Sequence, residues 1–192
     1  MSPVKSLVNS SKELKNVYSL AAIAMLLALC VVLGILANTT LPTLAYVGKI
    51  KLMFLPISVA AAVFGPVPAM LVGGLGDVLS WVFAPMGKPF FPGFTVSAML
   101  TGLIFGFAFY GRKVSLPRVI IAWFINAVAV EIFLFAFWFT FSGMADDQSY
   151  WVIVVERLIM EGIKCVPEIM LIFGVGKLVE RIPLKKFKIK KQ

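Results

Sequence analysis

Apolar runs separated by short turns recur along the whole chain. Residues 17–37 are apolar without a break, which is long enough to cross a bilayer as one helix. Five further helices are expected at about 51–64, 68–83, 94–110, 119–139 and 150–179. The turns between them carry the usual chain-breaking residues. They read "GPVP" at 65–68, "APMGKPFFPG" at 84–93, "GRKVSLPR" at 111–118 and "FSGMADDQS" at 141–149. The expected fold is all-α: an integral membrane bundle of six transmembrane helices. It divides into an N-terminal segment (1–16), a membrane domain (17–180) and a basic tail (181–192).

The middle of the chain departs from a simple bundle. Within 49–111 the apolar pieces 52–64, 68–83 and 95–110 are shorter than the ~20 residues of an upright span. Broken backbone at membrane depth is tolerated inside protein or beside a water-filled cavity. This stretch is therefore expected to form the wall and floor of a cavity, with 85–92 as a loop at its mouth. The first apolar run is too long for a typical secretory signal and lacks a small-x-small cleavage site, so it reads as a retained helix.

Composition agrees. The chain is 60% hydrophobic with 18 Lys and Arg against 9 Asp and Glu, and its mean hydropathy is +0.98. The excess of positive charge suggests nucleic acid until the charges are placed. Six spans put both termini on one side, together with the 111–118 turn, and that side holds thirteen of the eighteen Lys and Arg. The positive-inside rule makes it the cytoplasm. The basic tail then reads as a topology signal facing anionic membrane lipid, with no nucleic acid partner. The chain has no His, which removes His-based catalysis and His metal sites. Cys30 and Cys165 sit inside apolar runs and read as small buried hydrophobes. No enzyme activity, cofactor or metal is expected.

The charges inside the helices are the candidate chemistry. Arg157, Glu161, Lys164 and Glu168 recur at spacings of four, three and four, so they share one stripe of the last helix. Such a stripe is costly in lipid and should face the protein interior. It is either a salt-bridge ladder that holds helices together or the polar wall of a binding cavity; both can hold at once. Asp77, in "GGLGD", can accept from an NH-rich ring edge or hydrogen-bond locally. Glu131 is a candidate ion-pair partner for Arg157 or Lys164. Lys51 and Lys88 fall toward the outer side. Trp81, Phe90 and Phe91 lie near the proposed mouth, where an aromatic face can stack on a flat ligand. On the first helix, Ala24 and Ala28 are small residues four apart, a spacing that lets another helix approach closely.

The run "FLPISVAAAVFGPVPAMLVGGLGDVLSWVFAPMGKPFFPGFTVSAMLTGLIFG" resembles the substrate-binding S components of energy-coupling factor (ECF) vitamin transporters. "FGP", "GGLGD" and "FFPGFT-SAMLTGLI-G" are most similar to the folate-family S components, over about a third of the chain. The resemblance implies a six-helix fold and an outward-opening site for a folate-like vitamin. It also implies docking on a membrane coupling protein with two ATPases, which consume the ATP. Ala24 and Ala28 stand where that family contacts its coupling protein. Expected ligand-binding residues are Lys51, Asp77, Trp81, Lys88, Phe90, Phe91, Arg157, Lys164 and Glu168. The setting implied is a bacterial plasma membrane. Acidic Glu131, Glu161 and Glu168 sit awkwardly with a dianionic tail. They leave open a reduced folate, a pterin, or another vitamin such as riboflavin or thiamine. A stand-alone proton-coupled carrier is the other alternative.

Overall fold

The computed structural model describes residues 3–39, 52–85, 90–145 and 148–181. Lys51, Lys88, the whole 40–51 segment and the tail from 182 onward lie outside the described residues. Among the described residues the secondary structure is entirely helical. The helices are α1 (Pro3–Glu13), α2 (Val17–Thr39), α3 (Phe54–Val63), α4 (Pro66–Phe83) and α5 (Pro92–Phe109), then α6 (Leu116–Asn126), α7 (Phe135–Phe141) and α8 (Tyr150–Arg181). A π-helical segment, Ala127–Leu134, joins α6 to α7. The three pieces make one continuous apolar helix, Leu116–Phe141.

Among the described residues, four helices are long and apolar enough to cross a membrane: Val17–Leu36, Pro66–Phe83, Pro92–Phe109 and Leu116–Phe141. α3 has only ten residues, and α8 carries the ionisable stripe. Ile121, Phe124, Ile163, Val166 and Met170 are all exposed. An apolar outer surface of that kind is solvated by a bilayer. α1 is an addition to the sequence reading, which placed no helix within 1–16.

α4 and α5 form the centre. They approach so closely that a Cβ at Gly102 would run into the Ala69 carbonyl, and one at Gly73 into the Ala98 carbonyl. Around this pair the core closes with Ile57, Phe64, Val72, Phe105, Phe109 and Ile172, all buried. The reversal between α3 and α4 turns on Gly65, at φ +93°, a region that residues with a Cβ rarely enter. Pro66 follows at the first turn of α4, where a missing N–H costs nothing. The next N–H, of Val67, donates to Ser10 Oγ at 3.3 Å. α1 thus satisfies one of the open N–H groups at the start of α4.

The bundle has two distinct ends. At one end α1, the 110–116 turn and the last turns of α8 come together. Val114 N–H donates to Glu180 at 2.5 Å, and Lys177 pairs with the same carboxylate at 3.0 Å. At the other end Phe91 packs against Phe94, Trp138 and Phe141, while Phe90 packs against Trp81.

Candidate ligand-binding site

An internal cavity of about 80 Å³ lies between α3, α4, α5, the π segment and α8. Asp77, Asn126, Glu131, Arg157, Glu161, Lys164 and Glu168 supply its polar wall. Met53, Phe54, Phe94, Phe105, Trp123 and Phe135 supply its apolar one. All four residues of the α8 stripe therefore face one enclosed space rather than lipid.

α8 meets the α6–α7 helix in antiparallel layers. Near the end that holds Phe90 and Phe91, the Arg157 guanidinium lies over the Phe135 ring, 3.5 Å from its centroid. Cation and ring face attract there because the ring's quadrupole is negative on its face. One layer deeper, Glu131 and Glu161 act electrostatically on Arg157. Lys164 forms a short ion pair with Glu161, and both side chains are buried. Deepest of all, Trp123 Nε1 donates to Glu168 Oε2 at 2.8 Å. The helix continues past Pro167, which interrupts its hydrogen-bond ladder beside Glu168.

The π segment matters to this arrangement. Asn126 and Glu131 are five residues apart, and both line the cavity. The wider turn of a π-helix brings residues at that spacing toward one face, whereas an α-helix sets them far apart around its axis. α4 contributes Asp77, whose Oδ2 accepts from Thr95 Oγ1 at 2.8 Å. Asp77 thus combines a place on the cavity wall with a hydrogen bond across to α5, where a local one was the alternative read from the sequence. Ser97 and Thr101, on the cavity face of α5, donate to the Gly93 and Ser97 carbonyls of their own helix.

Of the residues singled out in the sequence, Asp77, Arg157, Lys164 and Glu168 meet in this cavity. Trp81, Phe90 and Phe91 are not among its lining residues. Phe90 is turned to Trp81 and Phe91 to Trp138 and Phe141, so the two rings splay apart and brace the ends of α4 and α7. The aromatic residues that do line it are Phe94, Phe105, Trp123 and Phe135. Ala24 and Ala28 are exposed on α2, while Ile23 and Cys30 on the same helix are buried in the core. Both cysteines are free thiols, and no cluster of metal-ligating side chains occurs among the described residues.

The cavity's charge balance is unusual for a membrane interior. Four carboxylates face two cations, so an occupant rich in N–H donors fits this wall better than a purely anionic one. Residues 18–175 match the family described as "ECF transporter, substrate-specific component". The chain is 34% identical over 136 residues to the folate transporter FolT of Clostridium novyi (strain NT), covering 71% of this chain and 77% of that protein. It is 30% identical over 140 residues to the folate transporter FolT of Leuconostoc mesenteroides subsp. mesenteroides, covering 71% and 72%. Its fold is similar to a crystal structure of FolT bound with folic acid, with a TM-score of 0.72 and 25% identity over 85% of this chain and 95% of that one. With several apolar helices, this membrane-embedded, multi-pass chain belongs to the family of substrate-specific components of ECF transporters.

Proposed function

We propose that this chain captures folate, or a closely related pterin, for an ECF-type importer. The observation that carries the reading is the enclosed cavity where Asp77, Glu131, Glu161 and Glu168 stand opposite Arg157 and Lys164. A pterin ring is flat and presents N–H groups along one edge. A carboxylate accepts such groups in bidentate fashion, and Phe94, Trp123 and Phe135 offer faces for the ring. The acid-rich layers around Glu161 and Glu168 suit the ring. The dicarboxylate tail would then point toward Arg157, the ionisable group of the stripe nearest the start of α8. Lys51 and Lys88, at the outer mouth by chain position, are proposed as further partners of the tail.

The remaining reading follows the positive-inside charge pattern. Six spans place both termini in the cytoplasm of a bacterial plasma membrane. The basic end of the bundle, with Lys177, Arg112 and Lys113, faces inward, and the cavity is loaded from outside. Energy comes from ATP hydrolysed by two ATPase partners through a membrane coupling protein. This chain holds no cofactor and makes or breaks no bond. Ala24 and Ala28 are the proposed docking face for the coupling protein. Reorientation on that protein would turn the loaded site inward.

The test is a binding titration of the detergent-purified protein, read by tryptophan fluorescence, since Trp123 lies in the cavity wall. Folic acid, a reduced folate, riboflavin and thiamine are the probes. Saturable binding of a folate without ATP, and none of the other two vitamins, is the expected result. Binding of riboflavin or thiamine alone would keep the importer and replace its cargo. Uptake of folate driven by a proton gradient with no ATPase present would overturn the importer reading.

A further inference from the structure

Asn126 is the last residue of α6, directly before the π segment. It is 7% exposed and lines the cavity. Its Oδ1 is wholly buried and meets no hydrogen-bond donor among the described residues. Other polar groups of the wall are engaged with protein. Trp123 is bonded to Glu168, Lys164 to Glu161, and Ser97 and Thr101 to backbone carbonyls. A buried amide oxygen without a donor is destabilising, whereas an apolar residue of the same shape would be nearly neutral there. Folding alone therefore gives no reason for an amide at this position.

We infer that Asn126 is a specificity-determining residue that reads the lactam-type edge of the ligand's flat heterocycle through its carboxamide. The inference rests on the folate reading of the same cavity. Its chemistry is distinct from that of the neighbouring groups. The carboxylates of Asp77, Glu131 and Glu168 only accept when ionised, and Lys164 only donates. A carboxamide presents an acceptor and donors side by side in one plane. The complement is a ring edge that carries N–H next to C=O, as the pyrimidinone half of a pterin does. The antiparallel layering of α6 and α8 puts Asn126 between the Trp123–Glu168 layer and the Glu131–Glu161 layer. A turn of the Asn126 carboxamide toward the cavity would let the lactam edge meet it there, and the amino-substituted edge would face carboxylates.

The experiment compares wild type with Asn126→Leu and Asn126→Asp in detergent. Three probes are titrated: folic acid, pteroic acid, which lacks the glutamate, and p-aminobenzoylglutamate, which lacks the ring. Thermal unfolding is followed with and without each probe. Both variants should bind folic acid and pteroic acid about tenfold or more weakly, a loss of about 1.4 kcal/mol. Binding of p-aminobenzoylglutamate should be the same in all three proteins. Ligand-free Asn126→Leu should unfold at the wild-type temperature or above, because the orphan oxygen is gone. A purely structural amide predicts the reverse: a lower unfolding temperature without ligand and an undiminished shift with folic acid. That result overturns the inference while leaving the folate reading intact. Wild type that binds no pteroyl compound overturns both.

Discussion

At the scale of single residues, the cavity wall is held by one short ion pair. Lys164 and Glu161 are both buried, and removing one partner leaves the other charge uncompensated. Breaking a buried pair in this way costs about 3–5 kcal/mol. Lys164→Met is therefore expected to lower unfolding stability by that order. Glu161→Gln combined with Lys164→Met should recover most of the loss, because no lone charge remains. A double-mutant cycle on thermal unfolding in detergent checks this. Additive losses would mean that the two side chains do not depend on each other. The ionisable members of the site were legible in the sequence. Asp77, Arg157, Lys164 and Glu168 stand out in apolar runs, where a charge needs a reason. Phe94, Trp123 and Phe135 were not legible, because an aromatic residue in a membrane helix looks the same whether it faces lipid or a cavity. Phe90 and Phe91 drew notice from their place among prolines in the sequence, and in the structure their rings pack against Trp81 and Trp138.

At the scale of elements, Pro and Gly punctuation placed the expected helices, the ten-residue α3 among them, to within a few residues of their observed ends. Two features escaped it. α1 lacks the long apolar run that marked the others, and its buried Ser10 reads as a surface residue until the start of α4 meets it. The π segment is one residue wound into a wider turn, and "NAVAVEIFL" contains no breaker that would announce it. Its effect is testable by deletion. Ala129 lies within the segment and is exposed, so its removal takes nothing from the core. Loss of one residue favours continuous α-helix: the wide turn closes, the chain beyond it keeps its register, and the residues inside the segment shift against one another. Glu131, inside the segment, would then be set differently against Asn126 on the cavity wall. Helix content by circular dichroism should persist while folic acid binding weakens about tenfold or more, roughly 1.4 kcal/mol. Unchanged binding would show that the π turn is incidental to the site.

At the scale of the whole molecule, the proposed division of labour runs across α2. Its inner face is tied to the core through Ile23 and Cys30, and a Cβ at Gly34 would meet Ser80 on α4. Its outer face carries Ala24 and Ala28, both exposed and neither a cavity residue. Small side chains four apart allow a second helix to approach closely, and a bulky one there keeps it away. If the coupling protein seats on this face, capture and coupling are separable by mutation. Ala28→Trp should bind folic acid as tightly as wild type, because the cavity between α3, α4, α5 and α8 is untouched. The same variant should fail to co-purify with the coupling protein and its two ATPases, and folate uptake by cells that depend on the complex should fall toward background. Asn126→Leu should behave in the opposite way, assembling normally but loading poorly. Ala28→Trp that still assembles and transports would move the docking surface elsewhere, with the groove lined by Glu13, Phe64, Tyr110 and Lys177 at the basic end of the bundle as the next face to test.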